Sequence, residues 1–230
     1  MLAATHPWII LFDIDGTILT VNRNFNRKLL RELLDEHQIN YPNMEKDAFS
    51  GRTDHDIFTS FLVNHDYDNG LYQKFKTAYL QRLKERLNED LVERHGFVDE
   101  AIQYFSQDGF LKGLLTGNYP IAASYKLKAA NINYEFSVGA FGEFDRDRNR
   151  LPFLAIEEVK KLMGIDPDPS RFVIIGDTPR DIICAKKAGM KCVAVTTGKF
   201  THTDLSEQNP DLIIDSLAHP EEWFSKLTGS

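Results

Sequence analysis

A chain of 230 residues with 42 % hydrophobic content is long enough to bury a full core, either as one large α/β domain or as a domain with a modest insertion. Its 27 Lys and Arg against 34 Asp and Glu give a formal net charge of -7, and the absence of a basic run argues against a nucleic-acid surface. Two cysteines, Cys184 and Cys192, make no disulfide framework and have no zinc-ligand partner at short spacing, so they read as buried, reduced core residues.

The apolar run at residues 8–12 (Trp-Ile-Ile-Leu-Phe) reads as a strand buried on both faces. It is too short to span a bilayer, and residues 1–6 carry neither a basic region nor a cleavage site of the secretory kind. A cytoplasmic location with no membrane partner is the expectation. The run ends in Asp13-Ile14-Asp15-Gly16-Thr17, which puts two carboxylates at the carboxyl end of a buried strand, where open α/β sheets bind ligands. An acidic turn with Gly16 supplying an unusual backbone angle is the structural alternative.

After Thr17 the period becomes helical: Phe25, Leu29, Leu33 and Leu34 recur at three- and four-residue steps. Further helices are expected at about 54–63 and 71–91, with no strand between residues 20 and 93. From Phe97 strand and helix alternate. The expected elements are a helix at 98–105, a strand at 110–115, a helix at 121–130 and a short strand at 136–138. A polar loop at 143–150 follows, then a helix opened by Pro152 and running to Met163. A strand at 171–175, a helix at 179–188 stopped by Gly189, strands at 191–195 and 212–214, and a final helix complete the chain. This alternation implies a doubly wound parallel sheet with helices on both faces, the all-helical stretch being an insertion after the first strand.

Three expected strands end in polar, glycine-containing turns: Asp13 to Thr17, then Thr116-Gly117-Asn118, then Gly176-Asp177-Thr178-Pro179-Arg180-Asp181. In a parallel sheet their carboxyl ends lie on one edge, so the three turns converge. Taken singly, Thr116-Gly117-Asn118 reads more readily as a helix-capping turn than as a ligand site, and Gly176-Asp177 passes as a turn with Asp at a helix start.

In this combination the sequence resembles the haloacid dehalogenase-like hydrolase superfamily over nearly its whole length, and within it the phosphoglycolate phosphatase-like branch. Asp13-Ile14-Asp15-Gly16-Thr17 is similar to the first family motif, Thr116 to the second, and Gly176-Asp177 with Asp181 to the fourth. The resemblance implies a Rossmann-like core of residues 1–19 and 94–230 and a helical cap of residues 20–93. It also implies a magnesium-dependent phosphatase acting on a small phosphorylated metabolite. Asp13 would be the nucleophile and Asp15 the acid and base. Mg2+ would be held by Asp13, Asp177 and the backbone carbonyl of Asp15, with Asp181 behind them. Carboxylates suit that ion, since magnesium prefers oxygen ligands and a phosphate ester repels an unshielded carboxylate.

By the same resemblance Thr116 would bond a phosphoryl oxygen, helped by the backbone N–H groups of Gly117 and Asn118 at a helix start. The family places a lysine in its third motif; this chain reads Asp147-Arg148-Asn149-Arg150, and Arg150 is the residue expected to fill that role. Arginine keeps the charge but is a planar fork rather than a compact ammonium. Lys126, two turns into a helix, is expected to point away. Arg52, in Gly51-Arg52-Thr53-Asp54 of the cap, is a candidate for a distal anion, the alternative being a surface arginine beside a helix cap. His55, His65, His95 and His202 have no ligand spacing and read as exposed. Glu157, Glu158, Lys160 and Lys161 read as a solvated helix face, and Met44, Met163 and Met190 as packing.

Within the superfamily, Asp15 supplies the second acid that dehalogenases lack, and a phosphonoacetaldehyde hydrolase would need a cap lysine where Arg52 stands. A sugar phosphomutase and a non-catalytic binding protein on the same fold stay open as alternatives.

Overall fold

The computed structural model describes residues 7–42, 44, 49–63 and 69–229. The expectations for residues 1–6 and for His65 lie outside them. β1 (Trp8–Phe12) is the central strand of a parallel six-stranded sheet. It leads through β2 (Leu19–Val21) into α1 (Arg23–Glu36), α2 (Asp54–Leu62) and α3 (Asn69–Arg86), and the chain returns through β3 (Val92–Arg94). Then come α4 (Val98–Tyr104), β4 (Phe110–Thr116), α5 (Pro120–Ala129), β5 (Val138–Phe141) and α6 (Leu151–Met163). β6 (Phe172–Gly176), α7 (Pro179–Lys187), β7 (Lys191–Val195), α8 (His202–Ser206), β8 (Leu212–Ile214) and α9 (Pro220–Thr228) close the chain.

The sheet order is β5-β4-β1-β6-β7-β8, so the chain winds outward from β1 in both directions. The expected doubly wound α/β core is therefore present. Alternate residues of β1 feed the two layers: Ile10 and Phe12 pack with Val98 and Ile102 of α4 and with Trp223 and Phe224 of α9. Ile9 and Leu11 pack instead with Leu151 and Ala155 of α6 and Ile182 and Ala185 of α7. A strand flanked by helices on both sides must be apolar at every position, which is why β1 reads as an unbroken run. Cys184 and Cys192 are free thiols in this second layer, as their isolation in the sequence suggests.

The inserted helices have a core of their own. Leu29, Leu33 and Leu34 of α1, Phe58 and Phe61 of α2, and Phe75, Tyr79 and Leu83 of α3 form one buried cluster. Tyr119, from the core, is shared with it: its hydroxyl meets that of Tyr72 at 2.7 Å. Asn22 starts α1, its side chain accepting from the N–H groups of Asn24 and Phe25 at 3.0 and 3.1 Å.

Four expectations are corrected. Residues 20–93 are not free of strand, because β2 and β3 pair antiparallel (Leu19 with Arg94, Val21 with Val92) at the base of the insertion. The helix expected at 71–91 ends at Arg86, and the Asn88 side chain caps a separate short turn at Glu89–Leu91. The strand expected at 136–138 lies at Val138–Phe141, in register with Gly113–Thr116, where its small residues Gly139 and Ala140 hide the strand pattern. His55 and His95 are half-buried rather than exposed, His55 lying against Tyr72 and His95 bonded to Thr20 Oγ1 at 3.0 Å. His202, Glu157, Glu158, Lys160 and Lys161 are exposed as expected. Among the described residues no helix is long and apolar enough to cross a membrane.

Candidate active site

The carboxyl ends of β1, β4 and β6 open beneath the insertion into a cavity of about 710 Å³. Asp13, Asp15, Thr116, Gly117, Asn118 and Asp177 line it, so the three turns do converge. Asp13 follows the last residue of β1 and is fixed by its N–H bond to Ile175 O of β6 at 2.9 Å. The turn after it needs Gly16 at φ +89, where a Cβ would lie 2.3 Å from Asp177 Oδ2. The two motifs are thus packed directly on one another. Gly198, in the loop after β7, closes the other side, and a Cβ there would lie 1.7 Å from the same oxygen.

One carboxylate oxygen each from Asp13, Asp177 and Asp181 lies within 4.8 Å of the others, and all three residues are buried. Burial pushes the Asp13 carboxyl up to about 6, against the pull of Arg148. Asp177 is driven up to about 9, by burial first and then by Asp13 and Asp181. Its Oδ1 is buried with no hydrogen-bond partner. A buried acceptor without a partner costs free energy, and a hard cation is the group that carboxylate oxygens at this spacing suit. The residues present therefore fit a magnesium ion. Asp181 is less free to ligate: its Oδ2 accepts from Thr178 N and Thr178 Oγ1 at 3.0 and 2.7 Å in the capping box that starts α7.

The third-motif expectation is corrected. Arg150 has a side chain 66 % exposed and, among the described residues, pairs only with Asp145, at 3.6 Å. Arg148 is the buried cation: its Nη2 is 3.2 Å from Asp13 Oδ1 and bonds Asp181 Oδ1. The Asp147 side chain accepts from Asn149 N at 2.9 Å and winds Arg148–Arg150 into a three-residue-per-turn helix. Residues two apart then face different sides, and Arg148 lies over buried Leu151 three places on. The spacing from Arg148 to Leu151 is the sequence signal that identifies it.

Lys126 is likewise not turned away. It is buried, and its Nζ lies 2.8 and 2.7 Å from the two oxygens of Asp15. Side chains on a helix lean toward its N-terminus, and α5 begins at the sheet edge, so a long stem two turns in reaches back to the site. Its place on the Ala122 and Ala123 face of the helix is the overlooked signal. Asn118 completes the group, its Nδ2 donating to Asp15 Oδ2 and Thr116 Oγ1, both at 2.7 Å. Thr116 Oγ1 also accepts from Asn118 N, at 3.3 Å.

The loop before α2 is docked on the core beside the cavity. Asp54 N donates to Gly117 O at 2.7 Å, Asp54 Oδ2 accepts from Tyr119 N at 2.8 Å, and Thr53 Oγ1 donates to Arg146 O at 2.8 Å. Gly117 permits this approach, since a Cβ there would lie 2.2 Å from Arg52 O. Arg52 borders the cavity, but its guanidinium is engaged by Asp56, to whose Oδ2 its Nε donates at 2.6 Å.

Comparison with known proteins agrees with this geometry. Over 221 residues the chain is 25 % identical to the pyrophosphatase PpaX of Bacillus mycoides, covering 96 % of this chain and 98 % of the relative. A structure titled as a predicted phosphoglycolate phosphatase, from Haemophilus somnus, matches with a TM-score of 0.72 at 18 % identity, over 96 % of this chain and all of that one. CbbY from Rhodobacter sphaeroides, solved with phosphate, gives a TM-score of 0.68 at 17 % identity, over 93 % of this chain and 96 % of that one. Likeness at these identities speaks for the fold. Residues 10–195 match the sequence profile of the haloacid dehalogenase-like hydrolases. The resemblance carried by the motifs is thereby borne out, and the chain belongs to the haloacid dehalogenase-like hydrolase family.

Proposed function

We propose that this hydrolase is a magnesium-dependent phosphatase that cleaves a small phosphomonoester by way of an aspartyl phosphate on Asp13. The observation that carries the reading is the separation of two carboxylates with different neighbours in one cavity. Asp13 sits in a buried cluster with Asp177 and Arg148, whereas Asp15, two residues on, is held by Lys126 and Asn118. The phosphatase names of the relatives support phosphoric ester chemistry, and the pyrophosphatase name supports a compact substrate. Residues 20–93 serve as the cap in this reading, and the β2–β3 ribbon is the place where cap and core divide.

In the first step an Asp13 oxygen attacks phosphorus, the bond to the leaving oxygen breaks, and Asp15 gives that oxygen its proton. In the second, water attacks the phosphorus of the aspartyl phosphate, Asp15 takes the water's proton, and Asp13 leaves as a carboxylate. Splitting the displacement this way replaces one difficult step by two easier ones. Mg2+, held by Asp13, Asp177 and the backbone carbonyl of Asp15, would offset the negative charge that opposes attack on a phosphate. Arg148 holds Asp13 in place from the side, and Thr116 with the N–H groups of Gly117 and Asn118 borders the space for the phosphoryl oxygens. Positioned proton transfer by Asp15 contributes about 10²- to 10⁴-fold in rate.

Phosphate release from a panel of small phosphomonoesters, with and without magnesium, tests the reading. Magnesium-dependent release that vanishes in Asp13→Asn is expected. Release that persists in the variant would reject Asp13 as nucleophile, and none from any ester would reject the phosphatase reading.

A further inference from the structure

The cavity above Asp13 is lined by six cations in a chain whose net charge is -7: Arg23, Arg27, Arg52, Lys126, Arg148 and Lys199. Three of them already have carboxylate partners. Lys126 is bonded to Asp15, Arg148 to Asp13 and Asp181, and Arg52 to Asp56. Arg23 and Lys199 form no ion pair among the described residues. They come from different parts of the fold. Arg23 is the first residue of α1, in the insertion, whereas Lys199 follows Gly198, whose backbone is packed on the Asp177 carboxylate.

The two cations also sense each other. The Lys199 ammonium is held below its ordinary range, by partial burial first and then by Arg23, with Arg180 and Arg27 adding to the effect and Asp177 opposing it. Lys199 thus lies in the same cavity as Arg23 and is repelled by it, while Asp177 attracts it. Like charges brought together across a cavity are unfavourable until an anion comes between them. Of the acids that line the cavity, Asp13, Asp15 and Asp177 follow the core strands β1 and β6, Asp54 starts α2, and Glu93 lies in β3.

We propose that Arg23 and Lys199 together hold a second anionic group of the substrate. The preferred substrate then carries charge at both ends, as a diphosphate or a phosphorylated carboxylic acid does, rather than being the phosphate ester of a neutral alcohol. This rests on the phosphatase reading for the fate of the first phosphate. It also gives the substrate a part in closing the site, since one molecule would bridge a cation of the insertion and a cation of the core.

The test compares kcat/KM for inorganic pyrophosphate and phosphoglycolate with that for p-nitrophenyl phosphate, in wild type, Arg23→Ala and Lys199→Ala, with magnesium. Wild type is expected to favour at least one charged-tail substrate by tenfold or more. Each variant should lose most of that preference through KM, and the substrate showing the larger loss tells whether the second group is a phosphate or a carboxylate. Arg180→Ala removes a cation that does not line this cavity and should keep the preference. Equal losses on all three substrates would mean that Lys199 acts on the transferred phosphoryl group and would overturn the proposal. So would a preference unchanged in the variants, or lost equally in Arg180→Ala.

If wild type hydrolyses none of the three, the phosphatase reading falls, and calorimetry with magnesium decides this proposal separately. Pyrophosphate should then bind wild type at least tenfold more tightly than orthophosphate, with the difference gone in both variants. Equal binding of the two ions would overturn it.

Discussion

Lys126 places one ammonium on both oxygens of Asp15, at 2.8 and 2.7 Å, across 111 positions of sequence. Asn118 bonds one of those oxygens and also reaches Thr116, so the proposed proton carrier and the threonine proposed to bind the phosphoryl group belong to a single network. A carboxylate 40 % exposed would otherwise sample several rotamers. Lys126 fixes which way it points.

If Asp15 delivers the leaving-group proton, Lys126→Met should lower kcat by about 10- to 100-fold, a fraction of the full value of positioned proton transfer. The deficit should grow along a series of aryl phosphates as the leaving phenol becomes less acidic, because those esters depend most on the proton. A uniform loss across the series would mean that Lys126 merely holds the fold together.

Arg148 and Arg150 offer a direct contrast between two neighbouring arginines. Arg148→Met leaves Asp13 and Asp181 buried without their cation, which costs about 3–5 kcal/mol of stability in comparable buried pairs. Arg150→Ala removes an exposed side chain and should stay within about 0.5 kcal/mol of wild type. Urea unfolding of both variants measures this directly, and a reversed order would restore Arg150 to the site.

The same pair shows what the sequence can carry. The doubly wound core is legible because strands such as β1 must be apolar at every position and each helix announces its caps, as Thr178 and Asp181 do for α7. The convergence of Asp13, Thr116 and Asp177 follows from parallel strand direction alone. Arg148 and Lys126 do not follow from strand direction: the spacing to Leu151 and the Ala122 and Ala123 face become signals only once it is known where the turn is wound and how far a long stem leans. The β2–β3 ribbon escapes for another reason: strands three residues long have no period to detect.

Gly117 should tolerate no side chain. A Cβ would lie 2.2 Å from the backbone oxygen of Arg52, and backbone on both sides leaves nothing flexible to yield. Gly117→Ala is expected to loosen the Gly51 to Asp54 loop, break the Asp54 N to Gly117 O bond and reduce kcat/KM by tenfold or more. Faster backbone hydrogen exchange at Asp54 should accompany the loss, and unchanged exchange together with unchanged activity would show that the loop need not dock.

Asp177 carries opposite consequences for the metal-free and metal-loaded protein. Without a cation it is a buried carboxyl beside two others, with one oxygen unpartnered. Asp177→Asn should therefore stabilise the metal-free fold by about 1–3 kcal/mol, the scale of relieving a poorly compensated buried polar group. Magnesium should raise the melting temperature of wild type but not of the variant, since only binding to the native state stabilises it. An equal rise in both would move the ion away from Asp177.

Asp54 gives the fold a pH dependence of determined sign. Burial, opposed by Lys126 and by the Tyr119 N–H, lifts its carboxyl from 3.8 to about 6. The folded chain then holds a proton between those values that the unfolded chain has released, so stability falls as pH rises from about 4 to about 6. Above about 6 the full cost of burying the charge is present, about 1–3 kcal/mol, because each tenfold change in an acid's dissociation constant is worth about 1.4 kcal/mol. Asp54→Asn keeps an acceptor for Tyr119 N but carries no charge, so its stability lacks this dependence. The variant should be more stable than wild type at pH 7.5, with the gap narrowing as pH is lowered through 6 and closing near 4. Denaturant unfolding of the two proteins across that range measures the gap. A gap that widens on acidification would mean that Asp54 is stabilised as a carboxylate, with Lys126 outweighing its burial.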